Sequence, residues 1–441
     1  MAGAADFPSV SLLDNIRFNE AVVVSNALQG LFKRRATPVA AATALDVDGQ
    51  AVRLLGGFSR RHGGRPVWVR VVKDRALLLL DVDDVKRALE GSPHPFASDP
   101  EAKRKGVAHF QPHALTISRG DLWADRRRFT EEVVETSKPV HQLGERFVGV
   151  VEEEVGAVLG GPLDYETLHG AYRRLTRRVV LGDDAAGDEE VTELLSDLMG
   201  EANGMPSSPS EKLGQLEERL RGYVAAAQDG SLAGLAANAP STPDTRPDGQ
   251  LTHWLFATQD TLSANVMRAL AILGSHPAAL ADAQAELAEV APDGVTAEEV
   301  PGLGHLRATL LEAMRLWPTT PLLSRELLAD MTWHGVRVPA GTNVLISNTF
   351  MHRDPERLGD AADRFTPDGW LDGDFSDDWG LNFFSHGPQG CPGARLALLL
   401  GVATLATVLR RGTPALERPS FDPAKPLPHM LDVFRLRVGV I

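Results

Sequence analysis

Between about Asp121 and about Leu316 the chain keeps returning to one pattern, apolar residues spaced for a single face of an α-helix. The stretches "GDLWADRRRFTEEVVETS", "ERFVGVVEEEVGAVLGG" and "AALADAQAELAEVAP" all carry it. Two breaks rich in turn residues, "NGMPSSPSEK" (Asn203–Lys212) and "APSTPDTRPDGQ" (Ala239–Gln250), read as loops between helices. So long a helical block limits the fold to a helix-packed body.

Strand signals stand on either side of that block. "PVWVRVV" (Pro66–Val72) and "RALLLLDV" (Arg75–Val82), joined by Lys73–Asp74, read as paired strands, and "DVDDVKRALEG" as a short helix stopped at Gly91. After Pro318, "WHGVRVPAGTNVLISN" switches to Val/Ile runs around a Pro-Ala-Gly turn, and "DVFRLRVGVI" is a last strand candidate. The expected class is mainly α with small β-sheets, in one domain over residues 1–441.

Composition narrows the function. A formal net charge of -14 argues against a nucleic-acid partner. One cysteine, Cys391, can build neither an internal disulfide nor a Cys-rich metal site. The longest apolar stretch, Leu396–Leu409, has the length of a core helix rather than a membrane span. A cytoplasmic protein without membrane contact, and a monomer, is the expectation.

Cys391 follows a glycine-punctuated loop, "NFFSHGPQGC", and precedes Pro392 and the apolar run "GARLALLLGVATLATVL". This places the sulfur at a helix N-terminus, where backbone N–H groups and the macrodipole favour a thiolate. Three readings are open: a small buried apolar residue, a nucleophile needing a histidine base, or an axial ligand to haem iron.

The pattern Phe384-x-x-Gly387-x-x-x-Cys391-x-Gly393 resembles the cysteine-ligand loop of the cytochrome P-450 family, the haem-thiolate monooxygenases. Three more stretches fit in the family's order. Trp123 and Arg127 resemble its propionate-binding helix; Asp260-Thr261, within "THWLFATQDTLSANVMRALAILG", resembles its acid–alcohol pair; Glu312 and Arg315, followed by Arg325, resemble its E-x-x-R helix and propionate arginine. At helical spacing Trp254, Ala257, Thr258, Thr261 and Asn265 share a face.

The resemblance implies the P-450 fold, a helix-rich triangular body with haem b between the central helix and the cysteine loop. It implies Cys391 as iron ligand, with Trp123, Arg127, Arg325, Phe384, Gly387, Gln389 and Gly393 around the cofactor. Asp260 and Thr261 would deliver protons, Glu312 and Arg315 would hold structure, and His109, Phe110, Ala257, Thr258, Leu322 and Met430 would line the substrate pocket. The implied activity inserts one atom of dioxygen into a small organic molecule, with a ferredoxin and ferredoxin reductase as electron donors. A peroxygenase, or a coupling or rearranging enzyme of the same fold, is the alternative; a haem carrier is the distant one. Arg126, Arg128 and Arg395 are candidates for the docking face.

Three positions depart from the family pattern. Gln389 stands where a His or Arg is usual, Gly369 where an arginine is usual, and Thr258 where a glycine is usual.

Overall fold

The computed structural model describes residues 6–206 and 208–441. Ser207, inside the expected loop Asn203–Lys212, lies outside the described residues.

The paired strands form as expected. β1 (Val67–Val71) and β2 (Asp74–Leu79) are antiparallel, with Val67 opposite Leu78 and Val71 opposite Asp74. The next helix, Val82–Glu90, starts where Asp81 accepts from the Asp83 N–H and stops at Gly91. A Cβ on Gly91 would lie 2.8 Å from the Phe96 ring, so the stop is also a packing contact.

Beyond it come β3 (Phe96–Ala97), β4 (Leu163–Asp164), β5 (Leu322–Leu327), β6 (Met331–Trp333), β7 (Val336–Val338), β8 (Asn343–Ser347), β9 (Pro414–Arg418) and β10 (Arg437–Val440). One sheet runs β1-β2-β8-β5-β3, a second β4-β10-β9, and β6-β7 is a hairpin. The β2–β8 pair is parallel, which brings the strands after Pro318 back onto the first pair. A core of Phe58, Leu78, Trp333, Ile346 and Phe350 surrounds the first sheet, while the helices bury a larger one including Phe129, Phe147, Tyr172 and Leu310.

The central helix crosses that larger core, and it departs from the expectation at two places. It begins at Pro247, so the last four residues of the expected loop are helical: Arg246 turns left-handed (φ 52°) and Pro247 supplies a helix-ready φ. Its middle, Ala257–Leu262, is a π turn between α segments Pro247–Phe256 and Ser263–Leu273. The wider turn rotates the helix face. Trp254 is consequently buried, stacked on Phe129 with centroids 6.4 Å apart, and Asn265 is buried too, whereas Ala257, Thr258, Asp260 and Thr261 keep accessible surface.

The helix that follows the cysteine loop, Ala394–Arg411, is apolar nearly all round and ends in Arg410, Arg411 and Gly412. At Gly401 a Cβ would sit 2.5 Å from the Leu310 side chain and 3.3 Å from that of Leu262. The helix Gly304–Leu316 and the central helix thus both touch the cysteine helix at one glycine. No helix among the described residues is long and apolar enough to cross a membrane.

Candidate functional site

The cysteine loop is built by backbone contacts. Cys391 N donates to Phe384 O at 2.7 Å, closing a loop in which Gly387 takes φ 72°. A Cβ on Gly387 would lie 2.4 Å from the carbonyl oxygen of Leu89, so the loop packs on the end of helix Val82–Glu90 with no room for a side chain. The following helix starts at Ala394, later than the sequence pattern predicts; Cys391 precedes it by a turn made with Pro392 and Gly393. Burial pushes the Cys391 thiol up, while the Gly393 N–H and the charge of Arg127 pull the other way. The same residue is nevertheless exposed. A group both enclosed by protein and exposed lines an internal hollow.

Other walls of the site come from the helix Gly120–Val133 and from β5, with two more residues of the loop itself. Arg127, on the helix Gly120–Val133, donates through Nη1 to Gly390 O at 2.5 Å and through Nε to Glu131 at 2.6 Å. One turn earlier Trp123 is half-buried, its indole N–H donating to no described residue. Arg325 on β5 is buried with only neutral acceptors, Ser92 Oγ at 3.1 Å, Ser324 O at 3.1 Å and Ser385 Oγ at 3.4 Å. Burial alone pushes its pKa down to about 10. Gln389 Oε1 is buried with no partner. No protein atom lies within 4 Å of where a Gly393 side chain would start.

On the π turn, Asp260 Oδ1 is 3.2 Å from His169 Nε2, and Gln259 Nε2 donates to Asp260 Oδ2 at 2.9 Å. His169 lies on the helix Tyr165–Val180, stacked on Tyr165, and has 24% of its side chain exposed. Asp260 itself has 27% of its side chain exposed. Thr261 and Thr258 are half-buried beside it.

Glu312 and Arg315 are both 0% exposed and meet through two hydrogen bonds of 2.6 and 2.7 Å. Gly369 leaves them without the expected arginine, and two neighbours take its place: Trp370 Nε1 donates to Glu312 Oε1 at 2.8 Å and Thr366 N to Oε2 at 2.9 Å. Arg315 in turn donates to the carbonyls of His352, Ala362 and Arg364. His352, held neutral by burial with its pKa near 3, donates from Nδ1 to Arg315 O and accepts at Nε2 from Asn382 N, at 3.2 and 3.1 Å. A continuous hydrogen-bonded chain thus joins the E-x-x-R helix to the segment entering the cysteine loop.

Of the residues expected to line a substrate pocket, Ala257, Thr258 and Leu322 keep accessible surface. His109 and Phe110 are buried, His109 tied to Glu201 at 3.0 Å and Phe110 packed between Phe32 and Phe256; Met430 is also buried but lines a cavity with Phe421, Leu427 and Phe434. Arg126 is also buried, donating to Ser118 Oγ and Asp244 O, which removes it from any docking face. Arg128 and Arg395 are exposed.

A helical body with small sheets carries a cysteine loop built on glycines and a central helix broken by a π turn at Asp260 and Thr261, the arrangement expected of a haem-thiolate type of enzyme. The family description "Cytochrome P450" matches residues 242–418. The chain is 27% identical over 386 residues to cyclooctat-9-en-7-ol 5-monooxygenase of Streptomyces melanosporofaciens, covering 79% of this chain and 82% of that one. It is 30% identical over 164 residues to cytochrome P450 4c3 of Drosophila melanogaster (36% of this chain, 30% of that one). Over 128 residues it is 36% identical to beta-amyrin 24-hydroxylase of Glycine max (26% and 24%). The insect and plant relatives are thus matched over less than a third of their own length. The chain belongs to the cytochrome P450 family and is a monooxygenase of that family.

The family implies haem, and the residues present fit it. A cysteine faces a hollow, a buried arginine has no carboxylate, an indole N–H has no described acceptor, and Gly393 borders open space. These are the donors and the room that a flat, iron-bearing dicarboxylate needs.

Proposed function

We propose that this cytochrome P450 inserts one oxygen atom from dioxygen into a small organic substrate as a tailoring step in biosynthesis, drawing electrons from a ferredoxin and its reductase. Its cofactor would be haem b. Cys391 would hold the haem, which would supply the binding and reductive cleavage of dioxygen. The likeness to a monooxygenase acting on cyclooctat-9-en-7-ol supports this class of reaction.

This chain's own residues would divide the remaining work. Arg127 and Arg325 would hold carboxylates at the cofactor edge, with Trp123 and Gln389 adding neutral donors. Arg127 is simultaneously bonded to the Gly390 carbonyl, so cofactor and ligand loop would share one guanidinium. Asp260 would pass protons from His169 and solvent toward Thr261, a general-acid role. Ala257, Thr258 and Leu322 would face the substrate.

The observation that carries the reading is Asp260 held between His169 and Gln259 on the π turn. A haem carrier has no use for a partly exposed carboxylate beside a hydroxyl. The test is a carbon monoxide difference spectrum followed by turnover with a ferredoxin chain. A strongly red-shifted Soret band with ferredoxin-driven oxygenation supports the proposal; product with peroxide alone would move the enzyme to the peroxygenase class.

A further inference from the structure

We propose that Lys103 is a carboxylate-binding residue of the haem cleft, its ligand a haem propionate or an acid group on the substrate; this rests on the haem-site reading above.

Lys103 belongs to the helix Glu101–Ala108, in a run of three bases. Its neighbours serve the surface: Arg104 is 41% exposed and reaches Asp99 at 3.4 Å, and Lys105 is 72% exposed and pairs with Glu101 at 2.5 Å. Lys103 turns inward. Its ammonium donates to Ser98 O at 2.8 Å and forms no ion pair with any described residue. An ammonium has three donors, so the group is under-used where it stands.

Its surroundings are cationic. Ser98 follows β3, which pairs with β5, so the amine lies beside Arg325. His253 of the central helix also lies within reach of its charge, and its Nδ1 meets Gln111 Oε1 at 3.0 Å. Burial first and Lys103 second push His253 down to about 4; burial first and Arg325 second push Lys103 down to about 7. The one carboxylate whose charge reaches Lys103 is Asp99, and that group is occupied by Arg119 at 2.8 Å. Lys103 also keeps accessible surface despite its burial, as Cys391 does, and therefore borders a hollow.

Buried cations are tolerated when an anion meets them. The haem dicarboxylate is one source, and Lys103 would supply to that edge the charge that Gln389 lacks. A substrate carboxylate is the other source, since His253 places the amine near the central helix as well as near Arg325.

The experiment uses the full-length holoprotein and the variants Lys103→Met and Lys103→Arg. Two quantities are read: the rate of haem transfer to apomyoglobin, and the spectral affinities for decanoate and decan-1-ol. Loss of an ionic hydrogen bond is worth about tenfold or more. Haem leaving Lys103→Met faster by that factor, with Lys103→Arg close to wild type, assigns the lysine to a propionate. A preference for decanoate over decan-1-ol that is present in wild type, lost in Lys103→Met and kept in Lys103→Arg assigns it to the substrate. Unchanged haem release together with no lysine-dependent preference overturns the proposal. A red-shifted carbon monoxide band retained in Lys103→Met shows the haem-thiolate reading to be intact whichever result is found.

Discussion

Trp370 donates its indole N–H to Glu312 Oε1 over 2.8 Å, filling the place that Gly369 leaves empty beside a fully buried ion pair. A carboxylate in that position needs every acceptor satisfied, because an unpaired buried lone pair costs about 1–3 kcal/mol. Trp370→Phe keeps the ring and removes the donor. The variant should unfold several degrees below wild type and bind less haem per chain, read by thermal melting and carbon monoxide titration. An unchanged melting point would show that the indole contributes packing alone.

Gly387 and Gly393 should separate folding from cofactor binding. Gly387→Ala forces a side chain to φ 72° and against the Leu89 carbonyl, so the apoprotein itself should lose stability. Gly393→Ala meets no protein atom within 4 Å, so the apoprotein should melt like wild type while haem content falls. Equal behaviour of the two variants in apoprotein and holoprotein alike would place no ligand beside Gly393.

Asp260→Asn removes the proton donor and keeps the shape. Product formation should drop by about 10²-fold, the usual size of a general-acid contribution, with the carbon monoxide spectrum unchanged. His169→Phe should slow turnover less, because water can still reach the partly exposed carboxylate. Full activity in Asp260→Asn would remove the acid from the proton path.

Acid should weaken the fold in two stages. His352, buried, and His253, half-buried, are held neutral with pKa values near 3 and 4, and bind protons below about 6.5 only when the chain unfolds. Stability is fully present above that pH and is lost as pH falls, at about 1.4 kcal/mol per pH unit for each histidine. Asp48 acts oppositely: burial raises it to about 6, so below that pH the folded chain holds a proton that the unfolded chain takes up only near 3.8. The loss should begin just below 6.5 and slow once Asp48 is protonated. Urea unfolding at a series of pH values reads the slope; a flat profile from 7 to 5 contradicts the assignment.

Arg395 is exposed and forms no ion pair among the described residues, which suits a docking cation. Arg395→Glu should slow reduction by ferredoxin at low ionic strength, and the difference should vanish at high salt. Equal stopped-flow rates at low salt would remove this residue from the docking face.

The sequence exposes what is local and leaves hidden what is long-range. Cys391 with its glycines, Glu312 with Arg315, and Asp260 with Thr261 are each readable because their partners sit within one turn. The π turn is not, since Ala257–Leu262 has no composition of its own and the wide turn emerges from packing on neighbouring helices. His169 lies 91 residues from Asp260, and His352 lies 37 from Arg315, so only the assembled fold pairs them. Lys103 differs from Arg104 and Lys105 by direction alone, and direction is decided by where its helix docks.

Gly401 touches no ligand, yet it fixes how close the cysteine helix comes to Leu262 on the π turn and to Leu310. A single methyl group there would have to wedge the two walls of the cleft apart. The clearance between sulfur and acid–alcohol pair is therefore gauged at a spacer behind the reaction chamber, and substitutions at that hinge point would retune the fit of every occupant at once.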